Sequence, residues 1–161
     1  MIRKCLARAG GIAATAAIFL LPMQAALAND QSRGMNGACD TEFAFNGPTT
    51  AIVTGTCQFG HLGLTTCEAL QTVTPQPDDT LLIENEGVCV AANGDELFTS
   101  FSGIGVPTPS GGVVFSGTDS YDGGTGRFAN ASGSSSLIGS AQFTGPGVGI
   151  GSFSFRGRIA Y

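Results

Sequence analysis

Few residues in this sequence of 161 are equipped for chemistry, and the cysteines stand out first. Cys39, Cys57, Cys67 and Cys89 follow an isolated Cys5 at spacings of 18, 10 and 22. A four-cysteine zinc site usually shows paired C-x₂₋₄-C spacing, which these lack, so they read as two disulfides and no metal is expected. His61 is the single histidine; its neighbours Gly60 and Leu62-Gly63 describe a hairpin tip, and no G-x-S-x-G elbow supplies it with a nucleophile. Arg127 follows a glycine turn. There it either reaches into a cavity to hold a carboxylate or an enolate oxygen, or lies on the rim against Asp122 or Asp119, and the rim is the favoured placement. Glu96 stands beside Asp95 near Glu84 and Glu86, but without a D-x-D-x-D-G loop these carboxylates read as solvated strand ends. Gly124-Thr-Gly126-Arg-Phe-Ala129 matches G-x-G-x-x-A. It lacks the following helix and the downstream acid of a dinucleotide site, and no cofactor is expected. Arg127, Tyr121, Glu96 and His61 are therefore the candidates for any catalytic role.

The elements that would position these groups follow from segmentation. Residues 1–28 read as a signal peptide, with Arg3, Lys4 and Arg8 ahead of an apolar run, Ile12 to Leu21, and Ala26-Leu27-Ala28 as the cleavage site. The run is too short for a membrane span, which takes about 20 residues. Cleavage would leave 133 residues, enough for one domain with its own core. Four arginines would then face twelve carboxylates with no lysine, a net charge of −8, which argues against binding nucleic acid or anionic lipid. An even set of cysteines behind such a leader places the chain in the periplasm or the medium.

Glycine-punctuated apolar or alternating runs indicate an all-β barrel or sandwich. The expected strands are Glu42–Phe45, Ala51–Gln58, Leu64–Thr72, Thr80–Asn85, Val88–Ala92, Glu96–Gly103, Gly112–Tyr121, Ser134–Gly145 and Gly151–Tyr161. Asn46-Gly47-Pro48, Asn93-Gly94 and Asp122-Gly123-Gly124 are expected as tight turns, with longer Pro-containing loops after Pro75 and Pro107. Cys39 and Cys57 are equidistant from Pro48, and Cys67 and Cys89 from Asp78, so those pairs can face each other across hairpins. Cys57 and Cys67 are equidistant from Leu62, which leaves that pairing open; the first scheme is preferred. In the last segment Phe153, Phe155, Gly157, Ile159 and Tyr161 share one face, and Ser152, Ser154, Arg156, Arg158 and Ala160 the other. A membrane barrel is disfavoured by the absence of Trp and by Ser, Thr and Gly on both faces.

Asp122-Gly-Gly-Thr-Gly-Arg-Phe-Ala-Asn-Ala-Ser-Gly133 resembles the GGTG-(R/K)-F-x-x-A-x-G turn and strand of dirigent proteins and allene oxide cyclases. Asn93-Gly94-Asp95-Glu96-Leu97-Phe98 and Gly60-His61-Leu62-Gly63 resemble segments of bacterial secreted members. The resemblance spans about residues 49–161 and implies a single antiparallel, calycin-like barrel of eight strands with an internal cavity, residues 29–48 forming an N-terminal segment and first strand. It also implies dimers or trimers. No functional residue of the family can be placed on this chain one by one.

Three functions are therefore compared: an exported barrel binding a small apolar molecule, a cyclase or isomerase of the allene-oxide-cyclase kind, and a structural protein of the cell envelope. The first is preferred, with Phe98, Phe101, Phe115, Phe143, Phe153 and Phe155 expected to line the cavity.

Overall fold

Side-chain alternation closes this chain into a cylinder. The computed structural model describes residues 32–161; the expected signal peptide lies outside them. Eight strands follow in order: β1 (Arg33–Phe45), β2 (Thr50–Phe59), β3 (Gly63–Pro75), β4 (Leu81–Ala91), β5 (Glu96–Pro107), β6 (Gly112–Gly124), β7 (Ser132–Gly145) and β8 (Val148–Ala160). Each pairs antiparallel with its neighbours in sequence, and β8 returns to β1, so the barrel is closed and has no free edge. β1 pairs with both β2 and β8 and is thus a full stave of the wall.

Inward side chains carry odd numbers in every strand, because paired residues share parity except at the register shifts that pair Leu97 with Gly124 and Gly145 with Val148. Met35, Cys39, Ala51, Cys57, Ile83, Cys89, Leu97, Phe101, Leu137, Phe155 and Ile159 are buried in the core. The outer face holds Thr54, Thr56, Thr66, Glu68, Glu84, Glu86, Ser152, Ser154, Arg156 and Arg158, most of them exposed. The same outer face also exposes apolar side chains, among them Leu64, Leu70, Ile104, Val114, Ile138 and Ile150, so it is mixed where the inside is mainly apolar.

Four details differ from the sequence reading. Thr80–Asn85 and Val88–Ala92 are one strand, β4, because Gly87 is a wall residue whose missing side chain lets Ala69 pack close. β1 starts nine residues before Glu42, since pairing on both sides overrides the poor strand propensity of Gly34, Asn36 and Asp40. Asp122-Gly123-Gly124 continues β6, and the chain reverses through a 3₁₀ turn at Gly126–Phe128. Phe98 points outward, as its even number requires.

The two ends of the barrel differ. The end that carries the loops after β2, β4 and β6 is plugged by Met35, Leu62, Leu97, Phe128, Ala131 and Ile159, all buried. Phe128 fills it from the 3₁₀ turn, its ring 5.1 Å from that of Tyr161. The opposite end, with the loops after β1, β3, β5 and β7, has no such plug. Phe43, Phe45 and Phe143 rim it, with Phe143 47% exposed and its ring 5.3 Å from that of Phe43. The barrel is a cup.

Candidate functional site

Both cysteine pairs of the preferred scheme are formed. Cys39 lies opposite Cys57 on β1 and β2, and Cys67 opposite Cys89 on β3 and β4, with Cα separations of 4.0 and 4.1 Å. Such short separations belong to directly opposed residues of the close, non-hydrogen-bonded type. The two bridges touch, Cys57 Sγ lying 3.5 Å from Cys67 Sγ, and together they pave the inner wall of β1–β4.

Beside this wall lies a lumen of about 230 Å³. Phe43, Phe101, Phe115, Phe143, Phe153 and Phe155 line it, with Val53, Val73, Leu81 and Ile83. The rings stay flat to the wall because inward glycines seat them. A Cβ on Gly117 would stand 2.8 Å from the Phe101 ring, and one on Gly139 would stand 2.6 Å from that of Phe115. Glycine thus keeps the centre open where larger neighbours would fill it.

Four polar groups of the lumen, apart from Thr41 on β1, share one wall. Gln71, Asn85, Thr99 and Asp119 line it from β3 to β6, and the register aligns Asn85 with Phe101 and Phe101 with Asp119. Asp119 sits in an apolar setting. Burial, reinforced by the negative charge of Asp122, pushes its carboxyl up to about 7. Its neighbour Tyr121 is buried and shares a 2.5 Å hydrogen bond with Ser135, itself buried. Burial pushes the Tyr121 phenol up to about 12; the Ser135 bond opposes this and Asp119 adds to it.

The four catalytic candidates separate. Tyr121 is inside, beside Asp119. Arg127 is on the rim of the plugged end, its Nε 3.7 Å from Asp95 Oδ2 and its guanidinium over Phe128; its partner is Asp95, not Asp122 or Asp119. Glu96 lies at the same end, where its backbone N–H donates to Thr125 Oγ1 at 2.9 Å. His61 is exposed in the turn after β2. Of the six expected lining residues, Phe101, Phe115, Phe143, Phe153 and Phe155 face the lumen. Phe98 does not, being 41% exposed on the outer wall.

Asp119 was missed as a site residue, although its signal is present. In Gly112–Tyr121 it has the parity of Val113, Phe115 and Tyr121, a carboxylate on an apolar face. A second depression, about 1230 Å³, opens on the outer wall among Asp40, Thr54, Thr66 and Ser152. It is wider and more open, holds no aromatic ring, and shares Thr41, Cys67, Val113 and Ala141 with the lumen. No cluster of His, Cys, Asp or Glu suited to a metal is found among the described residues.

No family model matches the chain, and no curated protein or solved structure is significantly similar to it.

Proposed function

We propose that this protein is an exported, cup-shaped binding barrel that takes one small, mainly apolar molecule into its lumen. The observation that carries the reading is the aromatic cavity, open at the Phe143 end and plugged at the Phe128 end. Apolar concavities with a few convergent polar groups are the usual form of a small-molecule site, and a lumen below the common range of about 300–1,000 Å³ suits a small occupant. Export is supported by the two disulfides, which persist in oxidising compartments, and by the leader-like residues 1–28. The resemblance to allene-oxide-cyclase-like and dirigent barrels fits the same picture, since an eight-stranded barrel with a cavity is what it implies.

A second reading, a cyclase or isomerase, is favoured by one observation. Asp119 holds a proton near neutral pH inside an apolar cavity, the setting of a general acid. It would act with Tyr121, the catalytic candidate that faces inward.

The test is an NMR titration of the processed protein with toluene, p-cresol and indole. Saturable shifts at Phe101, Phe115 and Phe153 are expected, and they should be lost in Ala141→Phe, which fills the lumen from β7. Absence of saturable binding, or binding indifferent to Ala141→Phe, contradicts the reading.

A further inference from the structure

The lumen is greasy but contains one group that does not belong with grease. Asp119 faces it from β6, and among the described residues neither a hydrogen-bond donor nor a cation meets its carboxylate. A buried carboxylate is costly unless a partner supplies both charge and hydrogen bonds.

The arginines among the described residues all lie elsewhere. Arg127 is on Asp95, Arg33 lies over the Tyr161 ring, and Arg158 donates to Ser32. Arg156 is exposed on the outer face of β8. The positions that face Asp119 across the ladder are Phe101 on β5 and Ser135 on β7, and Ser135 is engaged by Tyr121. No described residue pairs with Asp119, and its carboxylate faces the lumen, open to whatever enters the cup.

We infer that the occupant is a small amine, an alkyl or aryl body packed on the phenylalanine rings with its ammonium group on the Asp119 carboxylate. This inference rests on the binding-barrel reading and gives its ligand a chemical class. An ammonium provides the missing charge and up to three N–H donors, and the bond it makes to a carboxylate is of the strong, charge-assisted kind. Asn85 and Thr99 stand on the same polar wall, near enough in register to take a remaining N–H. Rings beside the site add cation–π attraction. A carboxylate ligand of the same size meets repulsion from Asp119 once that group is ionised.

Proton competition gives the inference a second signature. The groups that titrate near Asp119 are Tyr121 and Asp122, both on β6. The facing positions of β5 and β7 carry Thr99, Phe101, Ser135 and Leu137, and Gln71 and Asn85 stand on β3 and β4, none of which titrates. Glu68 borders the lumen from β3 but is exposed outward. Amine affinity should therefore follow the ionisation of Asp119, rising from pH 5 to pH 8.

The probes are 2-phenylethylamine, propylbenzene and 3-phenylpropanoate, titrated by calorimetry into the full processed protein at pH 5 and pH 8. At pH 8 the amine should bind at least tenfold more tightly than propylbenzene, and 3-phenylpropanoate more weakly than either. The amine's advantage should shrink several-fold at pH 5. In Asp119→Asn the advantage should vanish while propylbenzene binding persists. The pH profile of the unaltered protein and the ¹³C shift of the Asp119 carboxyl carry the test without that variant; bound amine should draw the group's titration midpoint downward. Propylbenzene binding with no preference for the amine, or a preference that survives Asp119→Asn, overturns the amine assignment and leaves the binding barrel standing. Failure of all three probes to bind overturns both.

Discussion

Asp119→Asn removes a carboxyl from the lumen and should change how stability depends on pH. The native Asp119 carboxyl is raised from 3.8 to about 7 by burial and the charge of Asp122. The folded state therefore holds its proton more tightly than the unfolded chain. The sign follows: the favourable contribution is complete below pH 3.8 and is lost as pH rises through about 7. At 1.36 kcal/mol for each tenfold change in proton affinity, the full effect is on the order of 4 kcal/mol, with about 3 kcal/mol of it falling between pH 5 and pH 8.5. Asp78 titrates in the other direction, held low by its hydrogen bonds from Thr80, and acts below this window. Urea unfolding at pH 5, 6, 7 and 8.5, disulfides intact, should show the unaltered protein losing stability with rising pH while Asp119→Asn stays flatter. The two should differ by about 3 kcal/mol more at one end than at the other. Parallel curves would refute the placement of Asp119 in an apolar lumen.

Five further variants probe the wall of the cup. Replacing Cys39 and Cys57 by Ala opens a bridge spanning 18 residues and should lower stability by about 3 kcal/mol in urea unfolding; the Cys67–Cys89 pair, spanning 22, should cost a similar amount. Gly149→Ala drives a methyl group into the Phe43 ring and the Gln142 carbonyl, so it should cost about 1–3 kcal/mol, whereas Gly34→Ala, with open space around it, should stay within about 0.5 kcal/mol by the same assay. Tyr121→Phe leaves the buried Ser135 hydroxyl without its partner and should destabilise the fold by about 1–3 kcal/mol, read as a lowered urea midpoint.

The barrel was legible because period two is strict here. Once Phe153, Phe155 and Ile159 are assigned to one face, pairing carries that parity around the whole wall, and the cysteine symmetry about Pro48 and Asp78 is the same fact seen in the turns. Glycine obscured the rest. Gly87 falls between two expected strands and Gly123 in an expected turn, but both are strand residues, Gly87 where a neighbouring side chain needs the space and Gly123 with the positive φ of +96° near the end of β6. Phe98 was a failure of parity rather than of information: three residues from Phe101 in one strand, it must face the other way. Asp119 was readable by the same rule. That Arg127 pairs with Asp95 was not, because it depends on the 3₁₀ turn bringing together residues 32 apart in sequence.

The cup itself is tested most directly by a crystal structure of the processed protein under xenon pressure, since apolar cavities take up xenon. The account predicts xenon density inside the barrel between Phe101, Phe115 and Phe153, reached from the Phe143 end. A lumen filled by its own side chains, with no xenon inside, would contradict it.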